Sequence, residues 1–142
     1  MTPLDWAQLG VRILLAGVFA FMGVTHFVPR VRRGMRAMIP PALRRPGMPS
    51  PAVLVAFTGV AELVGAVGLL APWALLRELA GIALIVFLIL VFPANAYASQ
   101  HREKFGRAAI PFWPRYLGQL ALIALLLVAT VPLRYPPAGS GG

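Results

Sequence analysis

A single carboxylic acid interrupts an otherwise uncharged apolar run in this 142-residue chain. Glu62 is the only charged residue between Pro51 and Ala71. In a helix that rises about 1.5 Å per residue, it lies roughly 15 Å from the start of the run. A charge near the centre of a membrane helix costs on the order of 2.5–3.5 kcal/mol, so such a group is protonated, paired or in contact with a polar cavity. Glu62 is therefore our first candidate for ligand binding or proton transfer.

The residues that share a helical face with Glu62 are mostly small. Small residues at three- and four-residue spacing let a second membrane helix pack closely. The alternative interpretation is therefore a packing face that contains one hydrogen-bonded carboxyl group. The members of this face are Thr58, Ala61, Gly65 and Gly68.

Further polar side chains fall in the same half of the predicted helices as Glu62, which predicts one polar binding pocket within the helix bundle. Each has a structural alternative, because a histidine can cap a helix end, an arginine can extend to lipid head groups, and an asparagine after Pro93 can repair a kink. We assign no catalytic residue. With only 2 His and 4 acidic residues, we expect no protein-built metal site. The predicted pocket consists of Glu62, His26, Thr58, Asn95, Arg115 and Gln119.

The composition is that of a membrane protein. Hydrophobic residues make up 59% of the chain and charged residues 12%, whereas soluble domains average about 45–50% and 25%. The mean hydropathy is +0.80. The net charge of +9 does not indicate nucleic-acid binding, because the arginines lie between long apolar runs. The absence of cysteine excludes disulfides and thiol chemistry, so electrons for any redox reaction must come from a bound cofactor, a quinone or a partner subunit.

The hydrophobic pattern predicts a single all-α domain over 1–142, a four-helix transmembrane bundle with helices at about 4–28, 51–71, 74–98 and 113–132. Asp5 and the lack of a basic cluster before the first apolar run favour a retained helix over a cleaved signal peptide. A basic loop, 29–50, joins the first two helices, and the last residues, 136–142, have the composition of a disordered tail.

Basic residues are distributed unevenly between the two ends of the predicted bundle. Ten of the 13 Lys and Arg residues fall at the end that holds the loop 29–50 and the connection between the last two helices. The positive-inside rule places that end in the cytoplasm and both termini on the outer side of the cytoplasmic membrane. The first loop also contains an amphipathic segment whose basic side is expected to contact anionic lipid head groups, with a plain stop signal as the alternative. Its basic residues are Arg30, Arg32, Arg33 and Arg36.

Several short motifs together resemble those of the DoxX and DoxX-like family of small membrane proteins. No motif is specific alone, but the ordered set covers most of the chain. The motifs are GVTHF at 23–27, MIP at 38–40, TGVAELVGAVGLL at 58–70, FPANAYA at 92–98, and the Arg115…Gln119 start of the last helix.

The resemblance implies a four-helix bundle in the cytoplasmic membrane and a polar site at His26, Glu62, Asn95 and Gln119. It also implies a membrane subunit associated with quinone-linked or oxidative-stress redox chemistry, with a partner oxidoreductase subunit and a quinone as the candidate cofactor. Whether the chain is itself an enzyme stays open, as does oligomer formation. The two alternative functions are a small-molecule or proton-coupled transporter, which would need dimerisation, and a non-enzymatic membrane assembly or anchoring factor.

Overall fold

The computed structural model describes residues 1–132, within which the chain forms helices and connecting turns and no strand. The predicted disordered tail, 136–142, lies outside the described residues. Single turns of 3-10 helix cover Pro41–Leu43 and Gly106–Ala108. The α-helices are α1 (Pro3–Thr25), α2 (Pro29–Ala37), α3 (Pro51–Leu69), α4 (Ala74–Gln100), α5 (Arg102–Phe105) and α6 (Phe112–Thr130).

The starts of α1 and α3 follow from local sequence. The Thr2 side chain accepts a hydrogen bond from the Asp5 backbone N–H, and the Thr2 backbone N–H donates to the Asp5 carboxylate at 2.6 Å, which completes a capping box. Ser50 caps α3 in the same way by accepting from Val53 N–H. A proline follows each cap at the first helical position, where its missing N–H costs nothing.

The helix ends differ slightly from the predicted ones. The first helix ends at Thr25 rather than near 28, because Pro29 begins a new helix, α2, with Val28 as its N-cap. The third long helix continues through Pro93 to Gln100. The amphipathic segment expected within the basic loop therefore forms a helix of more than two turns, α2.

The four long helices, α1, α3, α4 and α6, pack as a closed ring in chain order, with α6 returning to contact α1. Their inward sides form one hydrophobic core, in which Leu15, Leu69, Leu84 and Leu126 are fully buried. The outward sides are apolar and exposed, with Phe21, Val67 and Leu90 each at least 70% accessible. All four helices are long and apolar enough to cross a membrane.

Small residues set the spacing between neighbouring helices. A Cβ atom on Gly68 would lie only 2.6 Å from the Ala80 Cβ of α4, and one on Gly81 would lie 2.5 Å from the Thr130 hydroxyl of α6. Close contact at these points needs glycine. On the predicted packing face of α3, Gly65 and Gly68 therefore pack against α4.

Polar contacts fix both ends of the bundle. At the end where α1 begins and α6 finishes, the Gln8 amide of α1 donates to the Val128 carbonyl at 2.8 Å and to the Val131 carbonyl at 3.1 Å. These hydrogen bonds join the first helix to the last. These two carbonyls lie at the end of α6, where intrahelical donors are lacking. At the opposite end, the Arg44 guanidinium donates to the carbonyls of Arg36, Ala37 and Ile39 and so caps the end of α2.

Candidate functional site

A cavity of about 700 Å³ lies inside the bundle, at the end where α1 finishes and α6 begins. Its walls come from the C-terminal parts of α1 and α4 and the N-terminal parts of α3 and α6, and α2 lies across it. Most of the lining is apolar. The apolar lining includes Phe19, Met22, Met35, Met38, Val55, Phe87, Leu88, Val91 and Leu122.

All six residues of the predicted pocket line this one cavity. His26 follows α1, Thr58 and Glu62 come from α3, Asn95 comes from α4, and Arg115 and Gln119 come from α6. Four elements thus bring polar groups to one apolar space. On the predicted packing face of α3, Thr58 and Glu62 line the cavity, whereas Gly65 and Gly68 pack against α4.

The centre of the polar lining is a contact between His26 and Glu62. Their side chains are 89% and 93% buried, and the His26 Nδ1 lies 3.1 Å from the Glu62 Oε2. The same Nδ1 lies 2.9 Å from the Met22 carbonyl, an acceptor near the end of α1. A neutral imidazole carries one N–H and cannot direct it fully at both oxygens.

The geometry favours Met22 as the acceptor of that N–H. Although the His26 ring nitrogen is within ion-pair distance of Glu62, no hydrogen bond in the described part of the chain reaches the buried Glu62 Oε2. We take the contact as an electrostatic pairing rather than a formed hydrogen bond, because direction as well as distance defines the latter. Glu62 therefore presents a buried carboxylate oxygen that can accept a hydrogen from a bound molecule or carry the proton itself.

Two glycines place His26 beside Glu62. A Cβ on Gly23 would lie 3.0 Å from the Gly59 carbonyl, and one on Gly59 would lie 2.7 Å from the His26 Cβ. His26 follows Gly23 by about one helical turn, and Glu62 follows Gly59 by the same interval. Because α1 and α3 run antiparallel, these intervals point in opposite directions, and His26 lies level with Gly59. The close approach at the glycines lets the His26 ring reach Glu62, one turn further along α3.

A second polar contact joins α4 and α6. An Arg115 guanidinium nitrogen, Nη2, donates to the Asn95 side-chain oxygen, so the amide bridges two helices, two residues beyond the proline of α4. The Arg115 Nε is buried and has no partner within the described residues. Arg115 therefore keeps a donor that a ligand oxygen in the cavity can use.

The two uncharged members add weaker polar groups. The Thr58 hydroxyl donates to the Val55 carbonyl at 2.8 Å and keeps its lone pairs free to accept. The Gln119 side chain makes no hydrogen bond within residues 1–132, and its amide offers both a donor and an acceptor. Neither residue is ionisable, so His26 and Glu62 are the lining residues whose chemistry would allow proton exchange.

Sequence reasoning did not place α2 over the cavity. Val31, Gly34 and Met35 line it, whereas the sequence interpretation considered only a surface helix or a stop signal. Arg30, assigned there to lipid head groups, also borders the cavity. The signal was present in the apolar side of α2, but an amphipathic helix can turn that side toward lipid or toward a bundle.

The cavity combines the features of a site for an amphipathic small molecule. Apolar walls suit a hydrocarbon portion. The buried carboxylate and imidazole are groups able to exchange protons with a polar head, and the guanidinium is able to donate hydrogen bonds to it. Among residues 1–132, no group of three or more His, Cys, Asp or Glu side chains is arranged to hold a metal ion.

Residues 15–132 match the model of a family described as a domain of unknown function, DUF8561. No curated protein and no solved structure is significantly similar to the chain.

Proposed function

We propose a function for this chain, which belongs to the DUF8561 family of unknown function, from the cavity that its described residues form. The chain is a DoxX-like integral membrane protein, and its cavity binds a lipophilic carbonyl compound of the quinone class by the polar head. It exchanges protons with that head and acts as the membrane subunit of a redox system.

One observation carries this proposal. Polar groups from four elements converge in an otherwise apolar cavity, and among them is a buried carboxylate oxygen to which no group of residues 1–132 donates a hydrogen bond. A quinone head has oxygen atoms on opposite sides of a ring, which suits a donor such as Arg115 at one side and the His26–Glu62 pair at the other. The methionine-rich apolar walls suit the ring and the start of a hydrocarbon tail.

Proton exchange is the chemical contribution of this chain. Quinone reduction takes up electrons together with an equal number of protons. Glu62 and His26, in contact at 3.1 Å, can hold a proton between them and deliver it to a ligand oxygen within hydrogen-bond reach. The chain has no cysteine, so a partner oxidoreductase subunit that carries a redox cofactor supplies the electrons.

The proposed orientation puts the cavity on the cytoplasmic side of the cytoplasmic membrane. The positive-inside rule supports this placement, because the basic connections lie at the cavity end of the bundle. The outer faces of Trp6, Trp73 and Trp113 are more than 60% exposed near helix ends, as expected for side chains at membrane interfaces. At the cytoplasmic interface, the basic side of α2 contacts anionic lipids.

Calorimetric titration of the purified chain in dodecylmaltoside with decylubiquinone tests the proposal. We expect saturable binding that Glu62→Gln weakens about tenfold, because the substitution removes the proton-accepting oxygen but keeps the side-chain shape. Glu103→Gln is the matched control, since Glu103 is exposed on α5. Failure to bind decylubiquinone, or equal loss in both variants, would overturn the proposal.

A further inference from the structure

A second, smaller cavity lies at the opposite end of the bundle. It has a volume of about 220 Å³ and is lined by Arg12 of α1, Arg77 of α4 and apolar residues around the α3–α4 turn. Two cations from different helices therefore face one small space. Nothing in the proposed quinone site uses either residue.

Arg77 is held in a fixed position. One of its terminal nitrogens, Nη1, donates to the Ala71 carbonyl at 2.9 Å and to the Pro72 carbonyl at 2.8 Å. Both acceptors belong to the turn between α3 and α4, so the guanidinium is anchored by backbone. Its other N–H groups stay available, because a guanidinium carries five donors.

Neither arginine forms an ion pair within residues 1–132, and the Asp5 carboxylate acts on Arg12 only from a longer distance. The ion pair found within residues 1–132 joins His26 and Glu62 at the other end of the bundle. Arg12 follows Pro3 by nine residues, which places it roughly 14 Å along α1. Two half-buried guanidinium groups that share a cavity repel each other, and an anion between them would relieve that repulsion.

We infer that this cavity is a binding site for a phosphate group, supplied by an anionic membrane lipid. Arginine pairs hold phosphate oxygens by parallel, charge-assisted hydrogen bonds. Trp6 and Trp73 lie near the same end and are 61% and 67% exposed, which marks this end as the level of the head groups. The cavity has room for a phosphate and its ester carbons, while acyl chains would lie on the exposed apolar helix faces.

Native mass spectrometry of the delipidated chain in neutral detergent tests the inference, with dioleoylphosphatidylglycerol and dioleoylphosphatidylcholine as probes. We expect the chain to bind the phosphatidylglycerol at least about tenfold more tightly, and Arg12→Gln to remove most of that preference. Arg102→Gln removes the same charge from exposed α5 and is expected to keep the preference. Equal behaviour of the two variants would overturn the inference.

Two further arms separate the sources of phosphate and guard against misfolding. Inorganic phosphate that displaces phosphatidylglycerol from the wild-type chain would support the shared phosphate chemistry and show that a free ion also enters. Arg12→Lys keeps the charge but loses the planar donor pair, so we expect it to fold and to bind phosphatidylglycerol several-fold more weakly. An unchanged affinity in Arg12→Lys would overturn the inference even if Arg12→Gln fails to fold.

Discussion

Replacing Gly59 by alanine tests the contact that positions the candidate site. The added methyl carbon would lie 2.7 Å from the His26 Cβ and 3.1 Å from the Gly23 carbonyl oxygen. Both atoms are fixed by the backbone of α1, so a rotamer change cannot remove the clash. Ordinary contact begins near 3.4 Å, so α1 and α3 must separate locally by about 0.7 Å.

The separation has an energetic and a chemical consequence. Overpacking of this kind costs about 1–3 kcal/mol. Replacing a helical glycine by alanine also gains roughly 0.5–1 kcal/mol from reduced backbone entropy in the unfolded chain. If the shift is transmitted fully, the His26–Glu62 distance grows from 3.1 Å to about 3.8 Å, which weakens the electrostatic pairing of the two side chains.

Gly17→Ala is the matched control, because a Cβ on Gly17 of α1 meets nothing within 4 Å. The propensity gain is common to both variants and cancels in their difference. We therefore expect Gly59→Ala to be less stable than Gly17→Ala by about 1–3 kcal/mol. Equilibrium unfolding in mixed micelles of dodecylmaltoside and sodium dodecyl sulfate measures that difference.

The imidazole provides a second measurement. The chain has two histidines, so ¹⁵N spectra of a His101→Gln background report on His26 alone. We expect Gly59→Ala to shift the ring nitrogen resonances and Gly17→Ala to leave them unchanged. Equal stability of the two variants within about 0.5 kcal/mol, together with unchanged His26 resonances, would refute the close approach of α1 and α3 as the cause of the contact.

Two further predictions concern α2 and the orientation of the chain. Arg44→Ala removes three hydrogen bonds to the end of α2, so amide hydrogen exchange across 29–39 should accelerate. Arg45→Ala, at an exposed position, should leave the exchange rates unchanged, and equal rates in the two variants would contradict the capping role of Arg44. Because the chain has no cysteine, Thr2→Cys and Glu103→Cys each introduce a unique thiol. A membrane-impermeant maleimide added to intact cells should label the Thr2→Cys variant and not the Glu103→Cys variant. The reverse labelling pattern would contradict the proposed orientation.

The helices were predictable because their signal is local. Long apolar runs predict α1 and α3 from sequence, and depth along the predicted helices was enough to group His26, Glu62 and Asn95 toward one end. The ends of α1 and α4 were less accurate, because Pro29 starts a helix and Pro93 does not stop one. Whether a helix starts, stops or continues at a proline depends on whether neighbouring groups can satisfy the backbone carbonyl that the proline leaves without a donor.

The contacts within the site needed three dimensions. The His26–Glu62 distance depends on Gly23 and Gly59, which lie 36 residues apart in sequence and whose mutual approach no local pattern encodes. The role of Arg77 was also not predicted from the sequence. It lies in the first turn of α4, lines the smaller cavity, and binds two backbone carbonyls.

The hydrogen bonds from Gln8 to the end of α6 have a consequence for biosynthesis. The helix that completes the ring is the last of the four to leave the ribosome, and it brings Arg115 and Gln119 with it. Until it inserts, Asn95 lacks its guanidinium partner and the acid on α3 faces an unfinished wall. A chain halted before Phe112 would therefore leave the polar side chains of Asn95 and Glu62 without the neighbours that α6 supplies.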